Sequence, residues 1–126
     1  MNLLVTGGAG VIGSHYVRLA LERYPEANVA VLDALTYAGN LSTLKDVSYN
    51  PRFSFHEGLI QDASFVDKVI QKEKITHLVN FAAESHNDRS LMASGGFIQT
   101  NTFGVHALLE ATRKHGLERM LHVSTD

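Results

Sequence analysis

The chain has 126 residues, 44% of them hydrophobic, a net charge of −2 and no cysteine. That length allows one domain with a real core, the near-neutral charge leaves no nucleic-acid footprint or acidic tail, and the lack of cysteine excludes disulfides and thiolate metal sites, in keeping with a reducing compartment. No apolar run approaches membrane length, and the glycines from Gly7 to Gly13 break the N-terminal apolar stretch where a signal peptide would continue, so the expectation is a cytoplasmic, soluble α/β domain with no nucleic-acid and no membrane partner.

The most informative stretch comes first. Leu3, Leu4 and Val5 form a short apolar run, the pattern of a strand buried on both faces. Gly7, Gly8, Gly10 and Gly13 then fall within seven positions, directly before a helical pattern. Glycine lets the backbone turn tightly and approach a ligand with no Cβ in the way. A helix start just beyond aims free N–H groups and a positive dipole end at an anion, which makes the stretch a pyrophosphate cradle. Two parses fit: Gly8-x-Gly10-x-x-Gly13 is the general dinucleotide fingerprint, and Thr6-Gly7-x-x-Gly10-x-x-Gly13 is the short-chain dehydrogenase/reductase version. Val11 to Tyr24 carries a one-sided apolar stripe ended by Pro25, and Asn28 to Asp33 reads as a second strand. Asp33 stands at its tip, twenty positions after Gly13. A carboxylate there can accept from both adenosine ribose hydroxyls and repels a 2′-phosphate, favouring NAD over NADP. The competing reading of Asp33 is a solvated loop aspartate or a helix N-cap.

Ala34 to Leu44 is a turn-rich connection, Phe53 to Glu57 a third strand, Gly58 to Asp62 its exit turn and Phe65 to Ile70 a helical stretch. His77 to Phe81 is the fourth strand, ending in Ala82 and Ala83, whose small side chains would let a nicotinamide ribose lie against the strand end. Phe97 to His115 is a long helix stopped by Gly116, and Met120 to Val123 begins a fifth strand that delivers Ser124, Thr125 and Asp126. Strands alternating with helices imply a doubly wound parallel sheet with helices on both faces. A sheet that stops at its fifth strand leaves a bare edge, so the chain reads as the N-terminal part of something longer. The seven histidines lack the spacing of a zinc site, and no metal is expected. Glu84, Ser85 and His86 are consecutive, so on an extended loop they point different ways, and a Ser/His nucleophile is not expected.

With these stretches in view, the chain resembles the N-terminal portion of the dTDP-glucose 4,6-dehydratases, members of the extended short-chain dehydrogenase/reductase family with a Rossmann-type fold. The resemblance rests on VTGGAGVIGSH (5–15), LDALTYAGNLSTL (32–44), FAAESHNDRS (81–90), FIQTNTFGVHALLEATR (97–113) and HVSTD (122–126). It implies that Val11 and Ile12 cap the pyrophosphate and that Asp33, Ala34, Leu35 and Thr36 hold the adenosine ribose. It puts Leu59 and Ile60 at the adenine, and Phe81, Ala82, Ala83, Glu84, Ser85 and Thr100 on the nicotinamide side. Ser85 and Thr125 would touch the sugar, and Asp126 would be the general acid that protonates the hydroxyl leaving C6. The implied reaction is oxidation at sugar C4 by NAD, loss of water across C5 and C6, and return of the hydride to C6. The implied substrate is dTDP-glucose, and the implied assembly is a homodimer of the full-length protein.

Leu59-Ile60 stands where this family usually has Asp-Ile, so the carboxylate contact to the adenine amino group is lost unless Asp62 or Gln61 substitutes; Asn87 replaces the usual valine. The glutamate after Asp126, the Tyr-x-x-x-Lys pair and the sugar-nucleotide domain that the resemblance implies would follow residue 126, so residues 1–126 alone are expected to be inactive. Two alternatives stay open: another extended family member acting on a nucleotide sugar (a UDP-sugar 4,6-dehydratase or a 4-epimerase), or a non-catalytic NAD-binding module.

Overall fold

The computed structural model describes residues 1–35, 41–81 and 104–123. In chain order these form β1 (Asn2–Thr6), α1 (Val11–Arg23), β2 (Asn28–Asp33), a 3₁₀ helix (Leu41–Val47), β3 (Phe53–Glu57), α2 (Ala63–Glu73), β4 (His77–Asn80), α3 (Gly104–His115) and β5 (Arg119–His122). The strands make one five-stranded sheet in the order β3-β2-β1-β4-β5. Every neighbouring pair is parallel, with Val5 of β1 opposite both Val31 and Val79.

Side-chain alternation along the strands divides the apolar residues into two layers. Leu3, Val5, Val29, Val31 and Val79 face Val17, Ala20 and Leu21 of α1 and Leu44 of the 3₁₀ helix. Leu4, Ala30, Leu32 and Leu78 face Val66, Val69 and Ile70 of α2 and Leu108 and Ala111 of α3. Burying each leucine, isoleucine or valine contributes about 1.5–3 kcal/mol, so the sheet is held from both sides. This is the doubly wound Rossmann-type arrangement expected from the alternating pattern.

Several boundaries differ from the sequence reading. The connection after Asp33 contains a 3₁₀ helix, because Leu44 is drawn into the core at 1% exposure. α2 starts at Ala63, since Asp62 caps it by accepting from the Phe65 N–H at 3.2 Å. β5 spans Arg119–His122 rather than starting at Met120, and β4 ends at Asn80. Of the long helix expected over Phe97 to His115, Gly104–His115 is helical and residues 97–103 lie outside the described residues.

The helix ends are closed by side chains from elsewhere in the chain. Arg52, just before β3, donates through Nη1 to the carbonyls of Tyr24 and Ala27 (3.0 and 2.7 Å) and through Nη2 to that of Leu21 (2.8 Å). It thereby satisfies carbonyls that the end of α1 leaves open. α2 and α3 are joined by Asp67, which accepts from Lys114 Nζ at 2.8 Å and lies 2.9 Å from His115 Nε2. Among the described residues no helix is long and apolar enough to cross a membrane.

The hydrogen bonds from Lys114 and then His115 hold the Asp67 carboxyl below the usual aspartate range. A carboxylate with a depressed folded-state pKa stabilises above its unfolded value, and that contribution is lost as pH falls through the folded value. Because Lys114 is largely exposed, solvent screening keeps the contribution small, and Asp67→Asn is expected to cost about 0.5–1 kcal/mol at pH 7. Urea unfolding should show that difference shrinking as pH drops below about 4, where unfolded aspartate becomes protonated.

Candidate functional site

The sheet order makes the chain reverse direction beside β1: it runs outward through β2 and β3, then returns to β4 on β1's other side. In an open parallel sheet, the crevice at the C-terminal strand ends beside such a reversal is where ligands bind. The segments following β1, β2, β3, β4 and β5 all leave from that edge.

The glycine segment follows β1 there. Gly7 has φ 75°, in the left-handed region that glycine adopts without strain. Its N–H donates to the Leu32 carbonyl at 2.8 Å, and its carbonyl accepts from the Gly10 N–H at 3.2 Å. A Cβ on Gly13 would stand 2.2 Å from the Gly7 carbonyl oxygen, so the first turn of α1 lies backbone against backbone on the loop. Gly10 is the N-cap of α1 and has no side chain to cap it, and the first turn contains no acidic residue. The positive end of the helix is therefore left to an outside anion. Val11 and Ile12, at 72% and 62% exposure, stand uncovered on that same turn.

One peptide of the loop is clamped from both sides. The Ala9 N–H donates to Asp33 Oδ2 at 2.9 Å, and the Ala9 carbonyl accepts from the Thr43 hydroxyl at 2.8 Å. Thr43 is itself held through Arg18, which donates to the Thr43 carbonyl and pairs with Asp46 at 2.8 Å. Sequence reading did not single out Arg18, Thr43 or Asp46. Their signal is only visible once the 3₁₀ helix lies against α1, since neither the residue types nor their spacing form a motif.

Asp33 is neither solvated nor a helix cap: it is 8% exposed, and its Oδ1 accepts from the Leu35 N–H at 2.8 Å. The two N–H groups use two of roughly four lone-pair sites on the carboxylate, leaving acceptors for a ligand's hydroxyls. Ala34 is half-buried, and Leu35 has φ 55°, unusual for a residue with a side chain. The turn that displays Asp33 thus carries strain, offset by the bond from Leu35 N–H to Asp33 and by apolar packing of Leu35.

After β3, Leu59 is 48% exposed while Ile60 is 4% exposed and packs in the core with Val66 and Leu78. Of the pair expected at the adenine, only the Leu59 side chain is open to a ligand; the alternation of the turn sends Ile60 inward. Asp62, a candidate to replace the missing carboxylate, is already engaged as the α2 cap. Phe81 follows β4, donates its N–H to the Thr6 carbonyl at 2.7 Å and stacks at a tilt on Tyr16, with ring centroids 5.4 Å apart. Thr36, Ala82, Ala83, Glu84, Ser85, Thr100, Thr125 and Asp126 lie outside the described residues.

The histidines that form side-chain contacts have local partners: His56 with Glu73, His77 with Thr76, His115 with Asp67 and His122 with Asn80. Gly13→Ala is the sharpest test of the loop geometry. With a backbone oxygen in the way, it is expected to cost about 3 kcal/mol or more, read by urea unfolding.

Comparison with known proteins bears on this site. The family model described as GDP-mannose 4,6 dehydratase matches residues 4–126. A dTDP-glucose 4,6-dehydratase from an Actinoplanes species is 44% identical over 131 aligned residues, covering all of this chain and 40% of the relative. The crystal structure of dTDP-glucose 4,6-dehydratase from Bacillus anthracis in complex with NAD superposes with a TM-score of 0.89 at 39% identity, over 99% of this chain and 37% of that one. The UDP-glucose 4-epimerase of Thermotoga maritima, in a structure with UDP-glucose, gives 0.87 at 31% identity, over 99% and 38%. The chain thus spans about two fifths of the length of the relatives it matches. A family match that begins in β1 and runs through the glycine loop, Asp33 and every described element means that this chain belongs to the GDP-mannose 4,6 dehydratase family.

Proposed function

We propose that the full-length protein is an NAD-dependent dTDP-glucose 4,6-dehydratase, a lyase forming dTDP-4-keto-6-deoxyglucose, and that residues 1–126 are the N-terminal portion of its NAD-binding domain. The observation that carries the cofactor reading is the glycine loop itself. It has an uncapped helix start, two exposed apolar side chains above it and a buried carboxylate at the neighbouring strand tip. These residues fit a dinucleotide: the N–H groups of the first turn suit the pyrophosphate, Val11 and Ile12 cover it, Asp33 suits the adenosine ribose and Leu59 suits the adenine face. Bound there, NAD supplies reversible hydride acceptance.

The protein's own part in the chemistry is placement and proton control. Asp126 holds the proton given to the hydroxyl that leaves C6, because hydroxide is a poor leaving group without a donor. An aspartic acid can do this near neutral pH only where desolvation or a neighbouring negative charge raises its pKa. Ser85 and Thr125 contact the sugar, while Ala82, Ala83, Glu84 and Thr100 line the nicotinamide side and Ala34 to Thr36 the ribose side. A substrate-binding domain follows residue 126, and the full-length enzyme works as a homodimer in the cytoplasm.

A 4-epimerase is the second reading, supported by the Thermotoga maritima structure. Its lower identity, 31% against 39–46% for the dehydratase structures, favours the first. Mass spectrometry of the full-length protein incubated with dTDP-glucose and NAD separates the two. Loss of one water with a 4-keto product supports the dehydratase, whereas an unchanged mass with inverted C4 supports the epimerase. Asp126→Asn should slow elimination more than C4 oxidation, and equal loss of both would remove the acid role. Asp33→Ala should weaken NAD at least about tenfold, as expected for losing a charged hydrogen bond of about 1.5–3 kcal/mol. Isothermal titration reads the change, and an unaltered affinity would take Asp33 out of the ribose site.

A further inference from the structure

Among the described residues, the buried polar side chains are Thr6, Ser14, Asp33 and Asn80. Thr6 on β1 and Asn80 on β4 are the two of these that are 0% exposed. They are register partners, and His122 of β5 is the register partner of Asn80. Thr6 Oγ1 lies 2.5 Å from Asn80 Oδ1, and Asn80 Nδ2 lies 2.9 Å from His122 Nδ1. The first distance is an O–H···O length and too short for N–H···O. It puts the amide oxygen toward Thr6 and the NH₂ toward His122. His122 Nδ1 is then the acceptor, and the neutral ring carries its proton on Nε2.

The backbone follows the same path. The Phe81 N–H donates to the Thr6 carbonyl at 2.7 Å, and the Val123 N–H donates to the Asn80 carbonyl at 3.0 Å. Asn80 therefore ties together two strand ends that lead to different parts of the site. Gly7 of the glycine loop comes directly after Thr6, and Ser124, Thr125 and Asp126 come directly after Val123. Burial alone does not call for polar residues here, since Leu32 fills the same register on β2 at 0% exposure. Well-packed apolar side chains at a buried site are commonly as stable as a polar pair. What hydrogen bonds add is direction: they fix a lateral offset between strands and the rotation of a ring, which dispersion does not. Within the described sheet β5 pairs with β4 alone, so these bonds are its lateral reference at the active-site end.

We infer that Asn80 is a positioning residue, which through His122 and Val123 holds the end of β5, just ahead of Asp126 in sequence, at a fixed offset from the glycine loop. The catalytic half of this inference rests on the dehydratase reading above; the bonding pattern does not. Four variants of the full-length enzyme test it: Asn80→Leu, Asn80→Ala, His122→Leu and His122→Asn, the last keeping an acceptor near the position of Nδ1. A tip displaced by about 1 Å slows the chemistry by up to about a hundredfold. Asn80→Leu and His122→Leu should therefore lower kcat for elimination at least about tenfold while NAD affinity stays within about twofold, and His122→Asn should recover most of the loss. Asn80→Ala, which leaves space rather than strain, covers the case in which leucine prevents folding. A lowered Tm with unchanged kcat well below it would reduce the network to a stabilising role and overturn the inference.

A second measurement needs no substrate. Imidazole ¹⁵N NMR of the wild-type protein, with His122 assigned by the loss of its signal in His122→Asn, should give the Nε2–H tautomer with Nδ1 unprotonated. An Nδ1–H tautomer overturns the bonding pattern. If dTDP-glucose is left unchanged by the wild type while the Nε2–H tautomer is present, the dehydratase reading falls and the network stands.

Discussion

With a carbonyl oxygen of Gly7 where a side chain at residue 13 would begin, α1 can start only by laying bare backbone on bare backbone. Much of the molecule follows from that contact. It fixes the distance from β1 to α1 and leaves the first-turn N–H groups facing outward with no internal carboxylate to meet them. It also brings Val17, Ala20 and Leu21 down onto Val5, Val29 and Val31, so one of the two apolar layers depends on it as well. The geometry of the loop and folding stability are linked here because one helix start serves both.

Around that contact the ligand-facing edge is braced by polar ties as well as by apolar packing. Asp33 and Thr43 grip the Ala9 peptide from its two sides, and Arg18 fastens the 3₁₀ helix that carries Thr43. A loop built of glycine has large freedom to lose on folding, and these bonds restrict it before a ligand arrives. Preorganised N–H groups bind an anion without the ordering cost that a floppy loop would incur. Asp33 thus holds the loop with part of its hydrogen-bonding capacity and keeps acceptor sites to spare.

The strands, their alternation with helices and the loop after β1 were legible in the sequence, because buried parallel strands and glycine spacing leave local patterns. Asp33 was legible as a carboxylate at the tip of β2, although its bond to the Ala9 N–H was not. The 3₁₀ helix was read as a plain turn-rich connection, since a single core leucine, Leu44, gives no periodicity. Ile60 was grouped with Leu59 as a ligand contact, yet only three-dimensional packing decides that one faces out and the other in. The clamp through Arg18 and Thr43 and the line from Thr6 to His122 join residues far apart in sequence. Such contacts are set by register and topology, and no short motif encodes them.

The reach of Arg52 has a consequence for how the chain comes together. Its guanidinium closes carbonyls of Leu21, Tyr24 and Ala27 from a position just ahead of β3. Of these, Leu21 lies in the last turn of α1, and the Tyr24 carbonyl just beyond it also accepts from the Ala27 N–H at 2.9 Å. Arg52 thus ties the end of the first helix to the start of the third strand, although more than two dozen residues separate them. The carbonyls at the close of α1 are met by a later part of the chain, which makes the seating of β3 and the finish of the helix one structural unit.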